Sequence, residues 1–194
     1  MLKYNKVQEY WNQRSSKQGE ATVGFSSHTL QQQEEEYRVK KDFVLNNLVP
    51  FDGVTLDYGC GVGRFADTFN NYIGAELTQD LYSIALKKHP DKTVIKLSYP
   101  FEIPKVSFDQ LFTSTVLQHN HNDSIDEFFK SLCNTSVSRI VLYENDQVKA
   151  PHCVGRTTEE YSLLLGRYFE VKTLKSVSHT VHGEKHTLSI FSLY

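Results

Sequence analysis

The spacing of apolar residues divides the chain into two parts. Before Pro50 the apolar residues recur at helical spacing, first at Tyr4, Val7, Tyr10 and Trp11 and then at Leu30, Tyr37, Val44 and Leu48. This pattern predicts two N-terminal helices, the second beginning after the cap residue Thr29 and ending at Pro50. From Gly53 onward, short apolar runs typical of buried strands alternate with helical patterns.

The second part predicts seven strands, which read VTLDY, IGAEL, TVIKL, FDQLFTST, SRIVLYE, FEVKTLKSV and HTLSIFSLY. Four helical patterns lie among them, GRFADTFNNY, DLYSIALKKH, SIDEFFKSLC and TTEEYSLLLGRY. Strands that alternate with helices imply right-handed crossovers and a parallel sheet covered on both faces. The last two strands have no helix between them and should form an antiparallel hairpin at one edge. The prediction is a doubly wound, mostly parallel seven-stranded α/β fold.

Length and composition favour one soluble domain. The 194 residues fit a single domain, with a helical extension or lid over residues 1–50 and a Rossmann-like core over 51–194. The net charge of −2 gives no positive field for nucleic acid, and no apolar run approaches the roughly 20 residues of a membrane span. Three scattered cysteines suggest neither a disulfide framework nor a zinc site, so we expect no metal and a cytoplasmic location.

The stretch LDYGCGVGRF, from Leu56 to Phe65, follows a predicted strand and opens a predicted helix. A ligand placed there would meet free backbone N–H groups and the positive end of the helix dipole. Glu76 follows Asp57 by 19 residues and ends the next strand, where an α/β fold places the acid that binds both ribose hydroxyls of an adenosine. The glycine spacing, G-x-G-x-G, differs from the dinucleotide fingerprint G-x-G-x-x-G.

The glycine stretch resembles motif I of the class I S-adenosylmethionine (SAM)-dependent methyltransferases. The segments GAELTQDLYSIALKKH and FDQLFTSTVLQHN look like that family's second strand with its helix and its fourth strand with the following loop. The terminal hairpin is similar to its reversed seventh strand, so the resemblance covers Gly53 to Tyr194. It implies methyl transfer, with SAM as the cofactor.

The resemblance also implies a cofactor-binding set. Asp57 would bind the methionine amino group, the loop from Tyr58 to Gly63 would wrap the methionine end, and Glu76 would bind the ribose. Ser98 stands where the family often has an acid that accepts a hydrogen bond from the adenine. The full set is Asp57, Tyr58, Gly59, Cys60, Gly61, Gly63, Glu76, Leu77 against the adenine, Ser98, Tyr99 stacking beside it, and Thr115 and Val116 flanking the sulfonium.

Two residues are candidates for a general base, because ligands bind beyond the carboxyl ends of the strands in open α/β sheets. His119 follows the fourth strand and carries a side chain suited to proton abstraction near neutral pH; the alternative is a loop histidine that orders the turn or faces water. Glu144 ends the fifth strand and could face the ligand or make local contacts.

Four further residues are candidates for acceptor binding. Trp11 and Arg14 would lie on a helix folded over the site, unless Trp11 only packs against the sheet edge. His152 and Arg156 precede a helix whose Thr157 and Glu160 fit a capping box, and an arginine there would suit a carboxylate or phosphate. The alternative for Arg156 is an ordinary surface position.

The sequence therefore predicts a SAM-dependent methyltransferase that modifies an oxygen or nitrogen of a small soluble acceptor. The first alternative is a nucleic-acid or nucleotide methyltransferase, which the near-neutral charge and the absence of matching motifs do not favour. The second is a non-catalytic SAM-binding subunit of a partner. A nicotinamide dehydrogenase fits less well, because the glycine spacing is wrong and no second substrate domain follows the fifth strand.

Overall fold

The helices and strands follow the predicted order. A computed structural model describes residues 2–18, 29–147 and 153–194. The helices are α1 (Leu2–Gln18), α2 (Leu30–Asn47), α3 (Gln79–Lys88), α4 (Asn122–Leu132) and α5 (Thr158–Leu165). The strands are β1 (Thr55–Tyr58), β2 (Tyr72–Glu76), β3 (Thr93–Lys96), β4 (Gln110–Ser114), β5 (Arg139–Gln147), β6 (Val171–Val181) and β7 (Glu184–Leu193). In these segments no helix is both long and apolar enough to cross a bilayer.

One sheet in the order β3-β2-β1-β4-β5-β7-β6 organises the fold. Strands β1 to β5 pair in parallel, and β7 lies antiparallel between β5 and β6. The predicted α/β fold with its C-terminal antiparallel hairpin is confirmed. The chain moves to one side of β1 with β2 and to the other with β4, and such a reversal opens a crevice at the carboxyl ends of the strands.

The inner strands β1, β2, β4, β5 and β7 are buried on both faces, whereas the edge strands β3 and β6 are partly exposed. On β4, Leu111 packs in the cluster formed with α4 and α5, whereas its neighbour Phe112 packs on the opposite face with Val44 of α2. This alternation of side chains across a strand requires apolar residues at consecutive positions. It explains why the strands read as continuous apolar runs.

Both predicted helix starts that depend on a threonine cap are present. Thr29 accepts a hydrogen bond from the Gln32 amide and its own amide donates to the Gln32 side chain, which is a complete capping box. Thr157 and Glu160 form the same arrangement at α5. Helix α2 ends at Asn47, before Pro50, as the sequence predicts.

The helix predicted after β1 is wrong, since residues 61–68 form consecutive turns. The amides of Gly63, Ala66 and Thr68 donate to carbonyls three residues earlier instead of four. Gly61 and Gly63 have φ of 58° and 79°, which a right-handed helix excludes, so the segment predicted as a helix from Gly63 begins in a turn conformation.

The connection in the terminal hairpin is also shorter than the gap between the two predicted strands, which spans residues 178–185. His182 and Gly183 alone make the turn, with φ of 51° and 74°. Positive φ at both central residues matches the twist of the flanking strands, so pairing extends to Val181 and Glu184 at the very end of the hairpin. Strand β7 therefore pairs along β5 to its carboxyl end, where Gln147 lies opposite Lys185.

Candidate functional site

A cavity of about 440 Å³ lies at the carboxyl ends of β1, β2, β4 and β5. It brings together residues that are far apart in the sequence. The glycine stretch contributes Asp57, Tyr58, Gly59, Cys60 and Gly61, and β2 with the residue after it contributes Glu76 and Leu77. The loop after β4 contributes Thr115, Val116 and His119, and α1 contributes Trp11 and Arg14. Among the predicted site residues that the structure describes, Gly63, Ser98, Tyr99, Glu144 and Arg156 do not line it.

Hydrogen bonds hold the glycine loop against β2. The amides of Gly59 and Cys60 both donate to the Ala75 carbonyl, at 2.8 and 3.1 Å, and the Gly61 amide donates to the Glu76 carboxylate at 2.9 Å. The expectation of free N–H groups at a helix end is therefore wrong for these three amides. The glycines serve close packing instead, because a Cβ on Gly59 would lie 2.6 Å from the Val116 side chain.

Two buried carboxylates face the cavity. Asp57 is 2% exposed and Glu76 is 5% exposed. Burial raises the pKa of Asp57 to about 7, against the hydrogen bond donated by the Tyr72 hydroxyl at 3.1 Å, and the nearby Glu76 raises it further. Burial also raises the pKa of Glu76, although the amides of Thr78 and Gly61 donate to its two oxygens. This end of the cavity therefore concentrates negative charge away from water.

The loop after β3 presents different residues from those predicted. Ser98 and Tyr99 are exposed and lie off the cavity, and the Ser98 amide donates to the Glu102 carboxylate. The cavity wall is formed instead by Leu97, Pro100 and Phe101, opposite Leu77. Phe101 has a φ of 65°, which turns the chain back toward the sheet. The expected contacts of Ser98 and Tyr99 with an adenine are therefore replaced by an apolar wall.

His119 lies on a short 3₁₀ turn, Leu117–His119, after β4. Its ring packs edge-on against Trp11, with 4.9 Å between centroids, and its Nδ1 lies 3.3 Å from the Cys153 sulfur. Its Nε2 lies 3.4 Å from the Gln118 side-chain nitrogen. The ring is half-buried at the cavity wall.

The hydrogen bonds around His119 assign its tautomer. Gln118 Oε1 accepts a hydrogen bond from the Asn145 amide at 3.2 Å, which fixes the orientation of the side-chain amide. Gln118 Nε2 can only donate, so the facing Nε2 of His119 carries the lone pair and Nδ1 carries the proton. Burial raises the pKa of the Cys153 thiol to about 11, so the thiol is neutral, and its sulfur can act only as a weak acceptor for Nδ1.

Glu144 has a different role from the one predicted. It is 2% exposed, and its Oε1 accepts hydrogen bonds from the Thr113 hydroxyl and from the amides of Val116 and Leu117 at 2.9–3.1 Å. Its Oε2 accepts from the Gln118 amide at 3.2 Å. The carboxylate therefore holds the turn that carries His119, and the structure gives no support to Glu144 as a base.

Arg156 also has a structural role, and it does not line the cavity. It is 3% exposed, and its guanidinium donates to the carbonyls of Leu117, Asn120 and Val154 and to the Asn122 side chain. The predicted surface or substrate-facing arginine is corrected to a buried one, because the chain folds over it. His152, predicted beside it, lies outside the described residues.

Helix α1 covers the cavity. Trp11 and Arg14 line it from above, and the Arg14 guanidinium lies 5.5 Å from the Trp11 ring centroid. Ser15, one residue further, donates to the Asp80 carboxylate at the start of α3. The helix is thereby attached to the start of α3, and its Trp11 ring contacts His119.

Sequence reasoning missed the polar side of the cavity opposite the glycine loop. It is formed by Glu36 and Lys40 on α2, Arg64 after the glycine loop, Asn145 on β5, and Glu184 and His186 on β7. Glu184 falls between the two strands that the sequence predicts, and His186 is the first residue of the last one, so neither position marks a cavity. A polar residue within an otherwise apolar strand, such as Asn145 after VLYE, was the available signal.

Neither a protein-family model nor a curated protein sequence matches the chain. Solved structures do, and they define the fold as that of the class I SAM-dependent methyltransferases. Magnesium protoporphyrin IX methyltransferase from Synechocystis PCC 6803, solved with S-adenosylhomocysteine, matches over 97% of this chain and 98% of its own at a TM-score of 0.73 and 14% identity. The expected fold family is confirmed by this likeness.

Two further solved structures extend the comparison. A SAM-dependent methyltransferase from Leishmania major is 17% identical over 97% of this chain and 82% of its own, with a TM-score of 0.72. Phosphoethanolamine N-methyltransferase 1 from Haemonchus contortus, in complex with phosphoethanolamine and S-adenosylhomocysteine, matches 98% of this chain and 49% of its own, with a TM-score of 0.76 and 14% identity. At such identities the likeness establishes the fold.

Proposed function

We propose that this protein is a SAM-dependent methyltransferase that modifies an oxygen or nitrogen of a small acceptor. The observation that carries the proposal is the pair of buried carboxylates, Asp57 and Glu76, at a glycine-lined cavity on the switch point of the sheet. Buried charges need partners of opposite sign or several hydrogen-bond donors. A ligand with an ammonium, a sulfonium and a ribose diol supplies both.

The residues present fit SAM. The Asp57 carboxylate would pair with the methionine ammonium, and the oxygens of Glu76 would accept from the ribose hydroxyls. Leu77, Leu97 and Phe101 provide an apolar wall for a flat heterocycle. Gly59 has no side chain and lies close to Val116, so the loop packs tightly there and both residues line the cavity where the methionine arm would lie.

When bound, SAM supplies a methyl carbon made electrophilic by its positively charged sulfur. The chain must align the acceptor, keep water out and take a proton where the acceptor carries one. His119 Nε2 has the lone pair for that step, and its long 3.4 Å contact with Gln118 is readily exchanged for the acceptor. Trp11 packs on one side of the half-buried ring and reduces its contact with water.

The size of the cavity supports a small acceptor. Its volume of about 440 Å³ falls near the lower end of the range of about 300–1,000 Å³ for sites that hold one drug-sized ligand. A bound SAM leaves space for little more than a small molecule. The neighbours in fold named for magnesium protoporphyrin IX and phosphoethanolamine also act on small molecules.

Calorimetric titration with SAM and with S-adenosylhomocysteine tests the proposal. The wild type should bind both, and Gly61→Val should bind neither, because a β-branched side chain resists a φ of 58° and would enter the cavity. Circular dichroism should show that the variant keeps its sheet. Binding by the folded variant would mean that the loop is only a turn, and binding without turnover on any acceptor would favour a non-catalytic subunit.

A further inference from the structure

One face of the sheet changes from apolar to polar next to the cavity. On β5 and β7 the residues on the α2 face are apolar as far as Tyr143 and Leu188. The next residues on the same face, Asn145 and His186, are polar and almost fully buried, at 3% and 1% exposure. Asn145 and His186 are direct partners across the β5–β7 ladder, which places their Cβ atoms about 4.5–5.5 Å apart. Both line the cavity.

These side chains have hydrogen-bonding atoms that the described part of the chain does not satisfy. Both ring nitrogens of His186 and Oδ1 of Asn145 are buried without a hydrogen-bond partner there. Buried polar groups are normally paired, and each one left unpaired costs stability. Such groups at a cavity wall indicate a place where a ligand completes the bonding.

The chemistry of the group that fits is set by Glu184. This residue lies two positions from His186 on the same face of β7, is 8% exposed and accepts a hydrogen bond from Asn145 Nδ2 at 2.8 Å. Burial and the nearby Lys40 lower the pKa of His186 to about 3, so its ring is neutral. Lys40 itself is ion-paired with Glu36, one turn away on α2. The net charge of the Asn145–Glu184–His186 cluster is therefore −1.

We infer that Asn145, Glu184 and His186 form the acceptor-recognition end of the cavity and bind a protonated amine of the acceptor. This inference rests on the proposed function, because only a methyltransferase has a methyl acceptor to bind there. Asn145 Oδ1, a His186 nitrogen and the Glu184 carboxylate are three hydrogen-bond acceptors on one strand pair, and an ammonium has three N–H donors to match them. A hydroxyl supplies only one donor, and an anion would be repelled by Glu184.

Histidine ring NMR tests this with matched fragments. Propylammonium, 1-propanol and propionate share one alkyl chain and differ in the head group, and each is titrated into the ¹³C-histidine-labelled protein in the presence of S-adenosylhomocysteine. The His186 signals are assigned by their loss in His186→Phe. They should respond to propylammonium at concentrations about tenfold or more below those needed for the other two.

Glu184→Gln should remove that preference, whereas Glu170→Gln, at an exposed glutamate, should keep it. Equal responses to the three fragments, a preference for propionate, or no response of the His186 signals would overturn the inference. The titration repeated without cofactor, together with calorimetry on the same proteins, separates the two proposals. Failure of the wild type to bind SAM would reject the proposed function. The fragment preference measured without cofactor would still decide whether the cluster binds an ammonium group.

Discussion

At the residue scale, Glu76 connects the loop to the proposed ligand. Its two oxygens already accept from the amides of Gly61 and Thr78, and each oxygen keeps a second lone pair for a ribose hydroxyl. The same carboxylate therefore holds the glycine loop in place and still has lone pairs available to a ligand in the cavity. This dual use explains why an acid can be buried here at 5% exposure.

Replacing Glu76 with alanine should weaken SAM binding by about 1.5–3 kcal/mol, the range for hydrogen bonds to a charged group. The loss combines the ribose contacts with the looser Gly61 amide. Calorimetry measures it, with Glu127→Ala on the exposed side of α4 as the control that should keep wild-type affinity. Unchanged affinity in a folded Glu76→Ala protein would place the ribose elsewhere.

His119 is the residue proposed to take the proton. His119→Ala should lower kcat by roughly 10²–10⁴-fold with SAM affinity near that of the wild type. The wild-type rate should fall in acid, where a protonated imidazole has no lone pair to offer, and that fall should be absent in the variant. His121→Ala, an exposed histidine two residues away, serves as the control. A loss below about tenfold with an unchanged pH profile would leave alignment and desolvation as the contributions of the site.

At the scale of elements, the turn that carries His119 is held from two sides. Glu144 on β5 accepts the amides of Val116, Leu117 and Gln118, and Arg156 before α5 donates to the carbonyls of Leu117 and Asn120. The buried carboxylate of Glu144 thus accepts from the amides of the turn, and the buried guanidinium of Arg156 donates to its carbonyls. The sequence suggests Glu144 as a general base and Arg156 as an acceptor-binding residue, but in the structure both hold the loop in place.

Arg156→Ala should therefore act on stability more than on cofactor affinity. It removes a donor from the carbonyls of Leu117, Asn120 and Val154, and a buried group left without any partner costs about 1–3 kcal/mol. Thermal denaturation should show a clear drop in Tm, because 1 kcal/mol shifts Tm by about 2–4 °C in a chain of this size. Arg167→Ala, which removes an exposed ion pair with Asp126, should change stability by less than about 1 kcal/mol. Comparable effects of the two substitutions would contradict the bracing role.

At the scale of the whole molecule, the fold was predictable because its signals are local. Strand and helix periodicities, two threonine caps and the glycine loop each lie within a short stretch of sequence. Asp57 and Glu76 were also accessible, since one crossover separates them in a known topology. The helix after β1 failed because positive φ at Gly61 and Gly63 overrides the apolar spacing that follows.

The acceptor side of the site was not predictable in the same way. Asn145 and His186 meet through strand pairing 41 residues apart in sequence, and nothing local marks either as part of a cavity. Glu144 and Asn145 are adjacent, yet the alternation of side chains along β5 sends one to the turn and the other to the cavity. The sequence names candidate groups, but burial and register decide which of them meet the ligand.

Asp57 links the site to the stability of the whole chain. Its pKa of about 7 in the folded protein lies above its ordinary value of 3.8, so unfolding between these values releases a proton. Stability should therefore fall as the pH rises through this window and level off above about pH 7, with a slope from this group of at most about 1.4 kcal/mol per pH unit. Burial makes the ionised carboxylate unfavourable, and a bound ammonium would offset that cost.

Asp57→Asn should separate these two effects. The unfolding free energy of the variant relative to the wild type, from urea denaturation, should increase between pH 5 and pH 8, because the amide never has to be buried as an ion. SAM affinity should show the opposite trend. In the wild type it should strengthen from pH 6 to pH 8 as Asp57 ionises, while in the variant it should be weak at both. A constant stability difference between the two proteins across this range would mean that Asp57 ionises as freely in the fold as in the unfolded chain. Parallel SAM affinities would remove it from the ammonium site, since a carboxylate that stabilises a bound cation must lose that effect when it is protonated or replaced.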